Sequence, residues 1–177
     1  MQPRFILMMV LCASVCAQQP SGEKLAPYYP TPETIVQRML DLGGLKAGER
    51  MFDLGSGDGR IVIMAAQQYR ALATGVELDG DLVQSSTARI SQLGLEKTAN
   101  IIYGDILRQN YSSADLITVY LLPDSNLKLR PILDAQLKKG TRIVAHDFPI
   151  GGWEPVKTVT VADDGEGRSH TLYLYIH

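Results

Sequence analysis

At 177 residues, 45% hydrophobic and 20% charged, the chain has the size and apolar content of one globular domain with a sizeable core. Its formal net charge of −2 gives no general basic excess, so neither nucleic acid nor an anionic membrane surface is expected as a partner on charge alone. Low-complexity stretches and internal repeats are absent from the sequence.

The N-terminus differs from the body. "MQPRFILMMVLCASVCAQQP" places one cation, Arg4, before an apolar run from Phe5 to Val15 and sets Val-Cys-Ala before Gln18. This is the pattern of a secretory signal peptide over residues 1–17, cleaved after Ala17, with a secreted or periplasmic destination. The run is shorter than the ~20 apolar residues of a spanning helix. An uncleaved segment that associates the chain with a membrane is the alternative. Both cysteines, Cys12 and Cys16, fall inside this segment, so the mature chain would hold no thiol nucleophile, disulfide or cysteine metal site. Residues 18–24 read as a polar linker, and residues 25–177 as the folded domain.

In the body, Thr31 is positioned to cap a helix whose first turn holds Pro32, and Ile35, Val36, Met39, Leu40 and Leu42 recur near helical spacing before Gly43-Gly44 stops the run. Strand "RMFDLG" then leads to a helix from about Gly59 to Tyr69, and strand "ALATGVEL" to a helix from Asp81 to Leu93 closed by Gly94. Strands "NIIYGD" and "ADLITVYLL" follow. A helix is expected from about Leu127 to Lys139, ending in Lys-Lys-Gly with cations at its negative end, before strand "TRIVAHDF". Such alternation implies a parallel sheet covered on both faces. The tail breaks the pattern: Val156–Ala162 and His170–Ile176 are strand-like and joined by Asp-Asp-Gly-Glu-Gly, which reads as an antiparallel hairpin.

Ligands of open α/β sheets lie beyond the carboxyl ends of the strands. Asp53, Asp58, Glu77 and Asp105 cluster at such ends, and Glu77 follows Gly57 by 77 − 57 = 20 residues, near the spacing at which an acidic side chain reaches ribose hydroxyls. The loop decides between ligands. Gly55-Ser56-Gly57-Asp58-Gly59 is G-x-G-x-G, and Arg60 stands where a dinucleotide fingerprint has its last glycine. Carboxylates beside a pyrophosphate repel it; two like charges at 4 Å cost about 4 kcal/mol at an effective dielectric of 20. A cofactor carrying an ammonium and a sulfonium prefers such company, which favours S-adenosylmethionine over NAD.

The motif "DLGSGDGRI" (Asp53–Ile61), with "GVEL" (Gly75–Leu78), "YGDIL" (Tyr103–Leu107) and the terminal hairpin, resembles the class I S-adenosylmethionine-dependent methyltransferases. "YYPTPETIVQRML", "VYLLPDSNLKLRPIL" and "GTRIVAHDFPIGGWEP" extend the likeness to a bacterial branch resembling the FAM173-type, DOT1-related protein lysine methyltransferases, from about Tyr28 to His177. The resemblance implies an α/β, Rossmann-like fold with a mostly parallel seven-stranded sheet, helices on both faces and a C-terminal antiparallel hairpin. It implies methyl transfer from S-adenosylmethionine by in-line displacement, with a protein lysine as acceptor. Residue by residue, it puts Asp53 near the ammonium and the backbone of Gly55, Ser56 and Gly57 along the methionine part. Glu77 meets the ribose hydroxyls, Leu78 and Ile106 pack on adenine, and Asp105 receives its amino group. Tyr28, Pro30 and Thr31 resemble a segment that closes over the cofactor, and Tyr120 borders the transferred methyl.

Tyr120, His146 and Asp147 are the candidate catalytic residues, and Tyr28, Tyr29, Tyr120 and Trp153 the aromatics of an acceptor channel. Plainer readings stand beside these. Asp58 is placed to cap its helix, Tyr120 and Trp153 to pack, His146-Asp147 to form a strand-end turn, and Asn126, Lys128 and Arg130 to begin a solvated helix. His146, His170 and His177 have no metal-binding spacing, so no metal is expected. Three alternatives to a lysine methyltransferase remain: an NAD-dependent oxidoreductase on a related fold, an exported, non-catalytic S-adenosylmethionine- or nucleotide-binding protein on the same fold, and a methyltransferase of small molecules.

Overall fold

The computed structural model describes residues 22–177. The expected signal at residues 1–17, with Cys12 and Cys16, and the first part of the linker lie outside the described residues. Helix α1 (Glu33–Leu42) precedes β1 (Arg50–Leu54), and α2 (Arg60–Tyr69), β2 (Leu72–Glu77), α3 (Gly80–Gln92) and β3 (Ala99–Tyr103) follow in alternation. After a single 3-10 turn at Ile106–Arg108 come β4 (Leu116–Val119), α4 (Pro123–Gln136), β5 (Arg142–His146) and the two last strands, β6 (Lys157–Val161) and β7 (His170–Ile176).

The strands form one seven-stranded sheet in the order β3-β2-β1-β4-β5-β7-β6. Strands β1 to β5 pair in parallel, β7 runs antiparallel to β5, and β6 antiparallel to β7. The order reverses between β1 and β4, and that crevice is where an open sheet of this kind takes its ligand. Alternate side chains feed two cores. Met51, Leu116 and Val144 join α1 and α2 on one face, while Leu54, Ile117 and Ile143 join α4 on the other. Burial on both faces explains why β4 is apolar without alternation.

Three local expectations are corrected. The fourth helix begins at Pro123, not near Leu127, and ends at Gln136, not Lys139. Proline suits a first turn because its missing N–H has no helical partner there, and the helix also accommodates Pro131 in its interior. Lys138 therefore lies past the helix and pairs with Asp115 at 2.6 Å instead of facing a helix end. Thr31 does not cap α1: Pro32 holds the cap position, no side chain caps it, and Thr31 Oγ1 lies 3.3 Å from His146 Nδ1. At α3 the cap is Asp79, whose carboxylate accepts the N–H groups of Asp81 and Leu82, so the helix starts one residue earlier than expected.

Leu129 is fully buried in the core that α4 builds on the sheet. Leu129→Ala is expected to lower the free energy of unfolding by about 2–5 kcal/mol, read from urea unfolding midpoints.

Candidate cofactor cavity and the cluster beside it

At the carboxyl ends of β1 and β2 lies a cavity of about 250 Å³, roofed by the strap of residues 22–31. Its floor is the glycine turn. Val76 O accepts the N–H groups of Gly55 and Ser56 at 2.9 and 3.0 Å, and Glu77 Oε2 accepts that of Gly57 at 2.8 Å. Gly55 and Gly57 have φ of +80° and +54°, a region that side chains disfavour. A Cβ on Gly57 would also stand 2.8 Å from the Tyr28 ring. The bare backbone thus lets Tyr28 of the strap approach the turn closely.

The acidic side chains at the strand ends are held in different ways. Glu77 Oε1 accepts from the N–H groups of Leu78 and Asp79 at 2.8 and 2.9 Å, which fixes the carboxylate at the rim with lone pairs to spare. Asp53 is buried and takes the Thr118 hydroxyl at 2.7 Å. Burial pushes its carboxyl up to about 7, against the Thr118 hydrogen bond and with help from the nearby Glu77 and Asp58 charges. Burial also acts on Asp58, but hydrogen bonds and charge from Arg60 outweigh it and hold that carboxyl below the usual range. Asp105 Oδ1 accepts the Leu107 N–H at 2.8 Å, which sets Ile106 at the cavity wall.

All the cofactor-side residues expected from the sequence border this one cavity: Tyr28, Pro30 and Thr31 from the strap, Asp53 and Gly55 to Gly57 from the first strand end, then Glu77, Leu78, Asp105, Ile106 and Tyr120. The donor set suits S-adenosylmethionine: a buried carboxylate for an ammonium, rim carboxylates for hydroxyl and amino groups, apolar walls for a purine. Sequence reasoning missed Arg60 as a structural tie. Besides gripping Asp58, it donates to Thr31 O at 2.9 Å and so joins the turn to the strap.

Beyond Tyr120 lies a second, more buried group. Tyr120 donates to Asp147 Oδ2 at 3.3 Å, and its ring lies against that of His146, with centroids 3.9 Å apart. Burial and the Asp147 charge push the Tyr120 hydroxyl up to about 12, so it stays a neutral phenol. His146 is fully buried, and that burial pulls its imidazole down to about 4. Asp147 has φ of +58°, uncommon for a residue with a side chain, and Oδ1 accepts the Thr171 N–H at 2.9 Å. Neither His146 nor Asp147 borders the cofactor cavity. His170, which chain spacing had separated from His146, stands 2.9 Å from it, and Asp164 lies behind His170.

Trp153 is elsewhere. Its Nε1 donates to Asp134 at 3.0 Å and its ring packs on Tyr175, so it is no part of the cavity wall. Asn126 is buried against the carbonyls of Phe148 and Pro149, while Lys128 pairs with Glu23 of the strap and Arg130 donates to Gly151 O.

Known proteins bear on this geometry. The family model of the ANTKMT methyltransferase domain matches residues 53–157, more than half of the chain. A protein-lysine N-methyltransferase of Saccharolobus islandicus is 39% identical over 151 residues, 85% of this chain and 92% of that protein. The adenine nucleotide translocase lysine N-methyltransferase of Mus musculus is 33% identical over 153 residues, and there the chain spans only 63% of its relative. Among solved structures, an RNA methyltransferase from Salinibacter ruber in complex with S-adenosyl-L-homocysteine has a TM-score of 0.78 at 42% identity, covering 84% of this chain and 93% of its own. The chain belongs to the ANTKMT methyltransferase domain family and is an S-adenosylmethionine-dependent methyltransferase.

Proposed function

We propose that the enzyme methylates the side-chain amine of a lysine in a protein. The observation that carries this reading is the identity of 39% to the archaeal protein-lysine N-methyltransferase, sustained over 92% of that relative. The acceptor side of the cavity supports it. Tyr28 and Tyr29 are 44% and 53% exposed on the strap, and aromatic faces at a mouth suit an alkylammonium. The Salinibacter relative raises RNA as a second acceptor class. Against it, Lys24, Arg60 and Arg168 around the strap already face Asp79, Asp58 and Glu166, which leaves these three cations little charge to offer a phosphate backbone.

In this reading Asp53 receives the cofactor ammonium, Gly55, Ser56 and Gly57 follow the methionine part, and Glu77 takes the ribose hydroxyls. Asp105 meets the adenine amino group between Leu78 and Ile106, and Tyr28, Pro30 and Thr31 close over the whole. S-adenosylmethionine supplies a methyl group whose C–S bond breaks to leave a neutral thioether. The acceptor nitrogen must first lose a proton, and taking a lysine from a pKa of about 10.4 to neutrality at pH 7 costs ~4.6 kcal/mol. Desolvation against the apolar parts of the strap and Tyr120 lowers that cost. Alignment does the rest, because an in-line displacement needs its reactants at near-attack distance. Tyr120 borders the cavity, and His146, through its ring contact, and Asp147, through its hydrogen bond to the phenol, are positioning residues for Tyr120.

We also read residues 1–17 as an export signal and residues 25–177 as the catalytic domain, with fractionation of the tagged full chain as the check. A mature form outside the cytoplasm is the expected result, and an unprocessed form in the membrane fraction supports the uncleaved alternative. Among the described residues no helix is long and apolar enough to cross a membrane.

The lysine reading is tested with methyl-labelled S-adenosylmethionine offered separately to a protein extract and to total RNA. Label recovered as methyl-lysine is expected; label in RNA, or cofactor binding without transfer to either, overturns it. Glu77→Ala is expected to weaken binding of S-adenosylhomocysteine at least tenfold in calorimetry.

Asp53 yields a pH prediction. In the folded chain it keeps its proton up to about pH 7, whereas in the unfolded chain it ionises near pH 4. The stability it confers is thus full below about pH 4 and lost as pH rises toward 7. The stability of wild type relative to Asp53→Asn should fall across that window and flatten above it, measured by urea unfolding at several pH values. Saturating S-adenosylhomocysteine should shrink the fall, since an ammonium beside Asp53 favours its ionised form.

A further inference from the structure

Positioning Tyr120 accounts for His146 and Asp147 singly, and not for their convergence with His170. His146 Nε2, His170 Nδ1 and Asp147 Oδ2 converge, with separations of 2.9 Å between the nitrogens, 3.0 Å from His170 to Asp147 and 3.4 Å from His146 to Asp147. Both rings are buried. Asp164 Oδ2 lies 3.2 Å from His170 Nε2, so that nitrogen serves as an N–H donor and Nδ1 is the atom turned into the group. Nδ1 faces the Asp147 carboxylate oxygen at 3.0 Å and His146 Nε2 at 2.9 Å, so three potential ligand atoms share one small space. A single proton meets two of these atoms well and the third poorly. One cation at the centre of the triangle meets all three atoms at once.

We propose that His146, Asp147 and His170 form a binding site for a divalent transition-metal ion of the zinc class. Two imidazole nitrogens and one carboxylate oxygen are a borderline-soft N2O set that zinc accepts. A tetrahedral zinc with ligands at about 2.0–2.1 Å separates them by about 3.3 Å. The three observed edges approach this, and the group expands by only a few tenths of an ångström to admit the ion. The surroundings match as well. Metal-bound histidines usually donate their second nitrogen to a carboxylate, carbonyl or water. Here His170 has Asp164, and His146 has the Thr31 hydroxyl at 3.3 Å. Asp147 is oriented by the Thr171 N–H on its other oxygen.

The ion would sit at the open side of the cluster, where 25% of the Asp147 side chain is exposed and Tyr120 approaches Oδ2. Three protein ligands leave a fourth position for water or for an oxygen of the bound acceptor. The site joins the end of β5 to the start of β7 and, through Thr31, to the strap. It is independent of which acceptor the enzyme methylates.

The test uses chelator-stripped protein and two probes, Zn2+ in calorimetric titration and Co2+ by its visible d–d absorption. One equivalent per chain is expected, with four-coordinate Co2+ bands. His170→Gln and Asp147→Asn should each weaken Zn2+ binding at least 100-fold, and Asp164→Asn about 10–100-fold, the usual cost of losing an outer partner. Asp163→Asn, in the same loop but with its carboxylate on the Gly165 and Gly167 N–H groups, should leave it unchanged. Circular dichroism melting confirms that each variant is folded. No stoichiometric binding by the folded wild type overturns the proposal, as does binding that survives both His170→Gln and Asp147→Asn in folded protein.

Discussion

The cavity at the strand ends depends on how the end of β2 holds the glycine turn. Parallel pairing puts Leu54 beside Val76, so the chain leaving β1 meets the Val76 carbonyl, next to last in β2, and the Glu77 carboxylate at once. Three consecutive N–H groups, from Gly55 to Gly57, are spent on that end, and the turn is drawn down against β2. Gly75 must be bare for this to happen, because a Cβ there would stand 2.5 Å from Ser56 Oγ and 2.7 Å from Ile101. The depth of the turn in turn leaves the height that Tyr28 and the strap need above Gly57. One register, one missing side chain and one carboxylate therefore set the floor, the rim and the roof.

The roof is held by many weak ties, unlike the floor. Lys24–Asp79 and Lys128–Glu23 are exposed ion pairs, which contribute about 0–1 kcal/mol each. Arg60 reaches Thr31 O, Ser125 reaches Leu25 O, and Arg168 reaches the Tyr29 hydroxyl. Leu25 and Ala26 add apolar packing against the core beneath α4. The strap is thus held through side chains, whereas the donors of the floor are satisfied by the sheet itself.

What the sequence made legible is what lies close along the chain. The glycine turn, the acidic residue twenty positions later and the Asp105-Ile106 pair each follow directly from a strand end, so strand–helix alternation was enough to gather them. The fourth helix was misplaced because its opening at Pro123 carries no side-chain cap, while Lys-Lys-Gly imitates a helix end that the chain never forms. Trp153 was a plausible channel aromatic by composition alone; the Asp134 hydrogen bond that fixes it elsewhere spans 19 residues. The histidine pair was illegible for a deeper reason. Metal and relay motifs are recognised by short spacings, and His146 and His170 are 24 residues apart. Only the antiparallel entry of β7, which sets His146 opposite Leu172, makes them diagonal neighbours on one face.

The terminal hairpin is therefore more than a way to finish the sheet. A parallel last strand would carry its first residues to the amino end of β5, far from the crevice. An antiparallel one returns them to the carboxyl end, beside Tyr120 and the strap. The register is then tightly constrained: a slip by one residue turns every side chain of β7 to the opposite face, placing His170 in the α4 core and Tyr175 among the side chains packed under α1. Buried imidazoles and carboxylates are costly unless each finds a partner. The group of His146, Asp147, Asp164 and His170 thus penalises every register but one. The same polar contacts that select the hairpin's alignment also deliver Asp147 to Tyr120, so the edge of the sheet and the Tyr120 side of the cavity are fixed together.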